Sequence, residues 1–243
     1  MVGTNPKRYL TARLPSSMET VWRFTYEHDR PMPDAVSSDV RMVPALAERL
    51  VETFSEPGDA VLDPFAGFGT TLRVASQCDR RAYGVEYEPD HAAYIEETVD
   101  YEGKLFHGDA RRLDEYDVPD CGAVVTSPPF MGVDMERDPL QNYAGESDYE
   151  SYLAEMRSIC ASAASRLGPD GTVALNVANL KHEGTVTPLA WDLAEAIGEA
   201  LRFEGEIVVD WEAGEDRSHT ADGDAGSFGY GYDHSYVLVF STT

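Results

Sequence analysis

At 243 residues, with 42% hydrophobic and 10% aromatic side chains, the chain is long enough for one α/β domain with a buried core and too short for two large ones. No apolar run reaches the length of a membrane span, and the polar stretch Met1–Arg13 lacks the apolar core of a secretion signal, so a cytoplasmic location is expected. Lys plus Arg number 19 against 44 Asp plus Glu, a net charge of −25, which repels nucleic acid at low ionic strength unless high salt screens it, the Debye length being about 3 Å at 1 M.

The acids are spread along the whole chain, and only three lysines occur, Lys7, Lys104 and Lys181. That distribution suits a halophilic, high-salt cytoplasm better than an acidic interaction tail. Three cysteines without CxxC spacing, Cys78, Cys121 and Cys160, argue for reduced thiols and against a disulfide framework or a zinc site.

Residues 1–40, with Pro15, Pro31 and Pro33, read as an irregular N-terminal arm, and 41–243 as a single domain. Val43 to Phe54 has helical apolar spacing and is broken by Pro57-Gly58. Seven short apolar runs follow: 60–62, 82–85, 104–106, 123–125, 173–175, 207–209 and 236–240. Helix-like stretches at 70–78, 90–99, 149–167 and 189–201 alternate with them. This alternation predicts an α/β fold, a mostly parallel seven-stranded sheet with helices on both faces. Ligands then bind outside the carboxyl ends of the strands. Two loop-like segments, 131–148 and 212–233, are candidate substrate-recognition elements.

After the first run comes Asp63-Pro64-Phe65-Ala66-Gly67-Phe68-Gly69-Thr70-Thr71, a strand end, a tight turn and a helix start. Gly67 and Gly69 permit positive φ and close backbone approach, and the opening helix offers N–H groups. A triphosphate would need Gly-Lys-Ser/Thr, which is absent, and a nicotinamide dinucleotide would want a third glycine where Leu72 stands. S-adenosylmethionine remains, and an acid at Asp63 suits its positive charges. Glu86, followed by Tyr87, ends the second run 19 residues beyond Gly67, near where a ribose diol is held. Asp109, followed by Ala110, ends the third run and could accept an adenine amino group.

The fourth run ends in Thr126-Ser127-Pro128-Pro129-Phe130. Two prolines fix a rigid backbone that has carbonyl acceptors and no donors. Ser127 and the Pro128 carbonyl can take the hydrogens of an NH2 group, and Phe130 can stack on a base. Pulling those hydrogens out of conjugation restores a lone pair that can attack a sulfonium methyl, so the chemistry is mostly positioning and needs no metal.

These two motifs resemble those of the amino-group DNA methyltransferases, the N4-cytosine and N6-adenine enzymes, and the likeness extends over roughly residues 28 to 241. The resemblance implies a Rossmann-like class I fold, S-adenosylmethionine as cofactor and DNA as partner, with RNA possible. It assigns Ser127, Pro128, Pro129 and Phe130 to catalysis. Asp63, Phe65, Ala66, Gly67, Gly69, Thr70, Thr71, Glu86, Tyr87, Asp109 and Ala110 fall to cofactor binding. Ser at the head of the Pro-Pro motif is seen mostly in N4-cytosine enzymes and favours cytosine; N6-adenine and RNA base amino groups are the alternatives, with a non-catalytic binding module further off. His28 to Phe54 resembles the segment that closes over the cofactor, and Leu167-Gly168-Pro169-Asp170-Gly171 a family turn. The motif order looks permuted, and no stretch is long enough for a dedicated target-recognition domain. A duplex substrate would require base flipping, with phosphate contacts from arginines such as Arg111, Arg112 and Arg137.

Overall fold

The computed structural model describes residues 19–30, 41–182, 184–212 and 232–242. In chain order these form β1 (Val21–Thr25), α1 (Pro44–Phe54), β2 (Ala60–Asp63), α2 (Thr70–Gln77), β3 (Arg81–Glu86), α3 (Pro89–Thr98), β4 (Gly103–His107) and β5 (Cys121–Thr126). Then come α4 (Tyr149–Ala164), β6 (Leu167–Val177), β7 (Leu180–His182), β8 (Thr185–Thr187), α5 (Leu189–Gly198), β9 (Arg202–Glu212) and β10 (His234–Ser241). Most of the expected N-terminal arm and residues 213–231 of the second candidate recognition loop lie outside the described residues.

The main sheet runs β1-β9-β10-β6-β5-β2-β3-β4. It is parallel except where β10 pairs antiparallel with β6 and β9. The chain winds from β2 out to β4, then returns to β5 on the other side of β2. The carboxyl ends of β2 and β5 therefore flank the switch point where a doubly wound sheet opens a crevice.

Side chains alternate between two cores, as the period-2 pattern of a doubly covered sheet requires. Val61, Ala123, Val125 and Ala174 face α1, α2 and α3, which contribute Leu46, Leu50, Leu72 and Ile95. Leu62, Val124, Val173 and Leu175 face α4 and α5, which contribute Tyr152, Met156, Leu193 and Ile197.

The sheet has eight strands where the sequence suggests seven. The extra one is β1, within the segment read as irregular. It pairs parallel with β9, buries Trp22 and sets Phe24 against Trp211 with ring centroids 6.0 Å apart. A five-residue edge strand with Arg23 at its centre leaves little alternation to read. Two other departures are local. Gly168–Gly171 swells out of the ladder between Leu167, opposite Cys121, and Thr172, opposite Ala123. Segment 131–148 is built rather than open: Arg137 bridges Glu146, and Pro139–Gln141 forms a 3-10 turn that Asp138 caps by accepting from Leu140 N at 2.8 Å.

Candidate active site

Strand β2 delivers Asp63 to the floor of a cavity of about 270 Å³ at the carboxyl edge of the sheet. The side chain is buried. Its Oδ1 accepts from the Thr126 hydroxyl at 2.5 Å and from Phe65 N at 3.0 Å. Burial nevertheless dominates and pushes the carboxyl up to about 6. The Asp63–Thr126 contact joins the end of β2 to the end of β5, across the switch point.

The turn after β2 needs its glycines for different reasons. Gly67 (φ 56°) and Gly69 (φ 75°) both take left-handed backbone. Gly67 lines the cavity, whereas Gly69 does not. A Cβ on Gly69 would sit 3.1 Å from Ile95 and 3.2 Å from Val99, so it makes the bend into α2 and lets α3 pack close. Among the catalytic and cofactor-binding residues assigned from sequence, Gly69 alone lies off the cavity wall. Asp63, Phe65, Ala66, Gly67, Thr70 and Thr71 line it with Glu86, Tyr87, Asp109, Ala110 and the Ser127–Phe130 segment. Gly67 and Pro128 thus share one cavity.

Glu86 is buried at the end of β3, and both its oxygens are already engaged. Oε2 accepts from Gly67 N at 2.6 Å and Oε1 from Glu88 N at 2.8 Å. The carboxylate therefore staples the glycine turn to the next strand end, with one lone pair per oxygen left over. Asp109 is more fully committed. Arg111 supplies its backbone N–H at 2.9 Å, Nε at 3.1 Å to each oxygen and Nη2 at 2.7 Å. Burial alone would raise Asp109, but these hydrogen bonds and the guanidinium charge hold it below the usual carboxylate range.

Arg111 in turn reaches Asp138 at 3.3 Å and Glu155 at 3.4 Å. Its charge is shared among three carboxylates. Arg112 is likewise paired, with Glu115 on the surface. Arg111 anchors the 138–143 segment, whose Pro139, Leu140, Asn142 and Tyr143 close one side of the cavity. Sequence marked the segment 131–148 as a candidate recognition element but not these wall positions, since Asn142 and Tyr143 reach the cavity through positive φ at 49° and 59°.

The Ser127–Phe130 segment is fixed through its carbonyls. The Tyr152 hydroxyl donates to Pro129 O at 2.9 Å, and the Tyr143 hydroxyl to Phe130 O at 3.2 Å. Burial holds both phenols well protonated, so both remain donors. No described group donates to Pro128 O. Ser127 Oγ donates to Asn176 O at 3.2 Å. With its one hydrogen used, the hydroxyl can only accept from anything that enters the cavity.

Ser127, Pro128 and Phe130 also line a second cavity of about 80 Å³. Its other walls include Tyr26, Trp211 and Tyr232, which sequence spacing did not single out. His234 there has its ring nitrogens beside Asp233 (3.0 Å) and the Tyr236 hydroxyl (2.9 Å). His91, also unforeseen, lines the first cavity with its ring 4.4 Å from Phe68 and Nδ1 3.6 Å from Glu86. Among the described residues the one cluster of metal-ligating side chains, Glu48, Glu52 and Cys78, lies outside both linings.

The order of strands and the position of the cavity define a Rossmann-like α/β fold, the fold also of S-adenosylmethionine-dependent methyltransferases. A TehB-like SAM-dependent methyltransferase from Corynebacterium glutamicum superposes with a TM-score of 0.52 at 17% identity, over 81% of this chain and 87% of that one. A precorrin 8w decarboxylase from Methanobacterium thermoautotrophicum does so with a TM-score of 0.51 at 14% identity, over 87% and 100%. Part of the chain is similar in sequence to DNA methyltransferases. Residues 7–97 match the family described as DNA methylase. Type II methyltransferase M.BglII of Bacillus subtilis is 38% identical over 76 residues, 29% of this chain and 19% of that protein. Type II methyltransferase M.SmaI of Serratia marcescens is 37% identical over 81 residues, 33% of this chain and 26% of that protein. The matched segments thus span about a quarter or less of these relatives. The family match ends before Ser127.

Proposed function

We propose that this chain transfers a methyl group from S-adenosylmethionine to the exocyclic amino group of a base in DNA, cytosine N4 before adenine N6. The observation that carries this reading is the wall shared by the two cavities. Ser127, whose hydrogen is already given to Asn176 O, and the undonated Pro128 carbonyl are two acceptors side by side. Such a pair grips both hydrogens of an NH2 group and turns its lone pair toward the first cavity. Phe130 offers a ring face to the base beside them.

The first cavity suits the cofactor by size and by charge. It is the larger of the two, and a buried, ionisable Asp63 on its floor is the partner a cation wants. Bound there, the cofactor supplies an electrophilic sulfonium methyl. Asp63 would hold positive charge, and Glu86, through its remaining lone pairs, a diol. Asp109 would hold an amino group only by loosening its grip on Arg111. Thr70, Thr71, Phe65, Ala66, Gly67, Tyr87 and Ala110 would shape the walls, with Gly69 setting the turn. The net charge of −25 supports a halophilic setting, where salt screens repulsion from DNA.

The test is a labelled-cofactor methylation assay in multimolar KCl with genomic DNA, tRNA and rRNA in parallel, followed by nucleoside analysis. N4-methylcytosine in DNA is the expected product. N6-methyladenine would correct the base, label confined to RNA would overturn the DNA reading, and no product with any substrate would favour a binding module. Ser127→Ala should cut turnover by about tenfold to a hundredfold with cofactor affinity intact.

A further inference from the structure

The second cavity carries a hydrogen-bond polarity set by a short relay in its own wall. Trp211 Nε1–H can only donate, and Ser235 Oγ accepts it at 3.1 Å. Ser235 then has one hydrogen of its own, which goes to Asn176 Oδ1 at 3.0 Å. Ser235 and Trp211 are both buried, and the relay meets the cavity at Asn176. The register supports it: Asn176 on β6 stands opposite Val237 on β10, and β10 alone separates it from Trp211 on β9. With Oδ1 occupied, the Asn176 amide is oriented, and its NH2 group is the face left for the cavity it lines. No described residue accepts from that NH2.

The backbone of the same residue holds Ser127. Asn176 O takes the Ser127 hydroxyl hydrogen at 3.2 Å, so the acceptor oxygen of Ser127 and the donor amide of Asn176 belong to one rim. Its three polar groups are the Pro128 carbonyl and Ser127 hydroxyl as acceptors and the Asn176 amide as donor. A Watson–Crick edge with an exocyclic NH2 next to an unprotonated ring nitrogen is complementary to these groups. Cytosine (N4 and N3) and adenine (N6 and N1) have such an edge. Guanine does not, because its ring N1 carries a hydrogen beside its amino group.

We propose that Asn176 is a specificity-determining residue that reads the ring nitrogen adjacent to the methylated amine, held in its donor orientation by the Ser235–Trp211 relay. This rests on the base-methyltransferase reading above and adds the residue that recognises the base edge.

The test uses oligonucleotides carrying the methylated site, with the target base either natural or replaced by its deaza analogue, 3-deazacytosine or 1-deazaadenine, in which C–H replaces the ring nitrogen. Wild-type protein should turn over the natural base about tenfold or more faster than the analogue, measured as kcat/KM, because an unpaired buried donor is left facing the C–H. In Asn176→Ala the two substrates should become equal within about twofold, with S-adenosylhomocysteine binding by calorimetry unchanged. If Asn176→Ala does not fold, the isosteric Asn176→Asp gives the same readout, since it too lacks the donor, and the preference should again vanish. Ser235→Ala should give an intermediate preference, the amide then being free to turn over. A preference kept in the Asn176 variants, or absent from the wild type, overturns the assignment and leaves the methyltransferase reading standing. Wild-type protein that methylates no base at all overturns the methyltransferase reading itself, and the assignment with it.

Discussion

Asparagine in place of Asp63 keeps the side-chain shape and the oxygen that accepts from Phe65 N and the Thr126 hydroxyl, while it removes the charge and turns the second oxygen into an NH2 group. Burial raises that carboxyl from its ordinary 3.8 to about 6, against the opposing hydrogen bonds from Thr126, Thr71 and Phe65 and with the repulsion of Glu86 added. At about 1.4 kcal/mol per pH unit, the ionised side chain costs the folded, cofactor-free protein about 3 kcal/mol at neutral pH. The sign follows from the proton balance. The folded carboxyl keeps its proton up to about pH 6, whereas the unfolded one releases it near 3.8. Stability is therefore lost as pH climbs from about 4 to about 6 and stays at the lower level above that.

Asp63→Asn should remove this loss. Thermal melts without cofactor should give a variant that matches the wild type at about pH 4 and melts about 5–10 °C higher at about pH 7.5, given 2–4 °C per kcal/mol for a chain of this size. Calorimetry with S-adenosylmethionine should show the opposite cost, affinity falling by about tenfold to a hundredfold as a charge-assisted contact disappears. Wild-type affinity should itself improve as pH rises through about 6. A variant no more stable than wild type at neutral pH, yet with unchanged affinity, would refute both the burial argument and the role proposed for Asp63.

Arg111→Ala leaves Asp109 unpaired and buried Asp138 short of one partner; discounted for the arginine's partial exposure, the loss should be about 1–3 kcal/mol in urea unfolding, with faster proteolysis within 136–147. No change in midpoint would mean the guanidinium carries no structural weight. Tyr152→Phe removes the donor to Pro129 O inside a full core, so a loss of about 1 kcal/mol and a lower kcat with unchanged cofactor affinity are expected from denaturation and single-turnover kinetics. With a net charge of −25, the urea midpoint should rise steeply as KCl approaches about 1 M; full stability in dilute buffer would count against the high-salt reading.

The central strands were legible because each is buried on both faces and reads as an unbroken apolar run, and the five helices because their apolar spacing is regular. The site residues at the ends of β2 to β5 followed from the topology, since a parallel sheet puts its ligands there. What sequence did not yield has a common physical character. The Asp109–Arg111–Asp138 linkage joins residues 27 apart through side chains, and no periodicity marks it. The left-handed Asn142 and Tyr143 are not glycines, so nothing local announces the bend that brings them to the cavity. Trp211 and Ser235 meet at the second cavity only because β9 and β10 pair antiparallel, a register that the apolar run 207–209 could not fix.

The two cavities differ in charge in a way that bears on the acidity of the whole chain. Carboxylates of Asp63, Glu86, Glu88 and Asp109 line the first, where a cationic cofactor is proposed. Among the described residues that line the second there is no acid, only neutral side chains with Arg41 and His234. A base entering there meets aromatic faces and oriented neutral hydrogen-bonding groups rather than repelling charge. On the proposed reading, the −25 opposes a polyanionic partner mainly through long-range fields from the surface, which salt screens within a few ångströms, since none of the described residues lining this cavity is an acid. If the substrate is nucleic acid, as proposed, concentrated salt is the condition under which this acidic surface would repel it least.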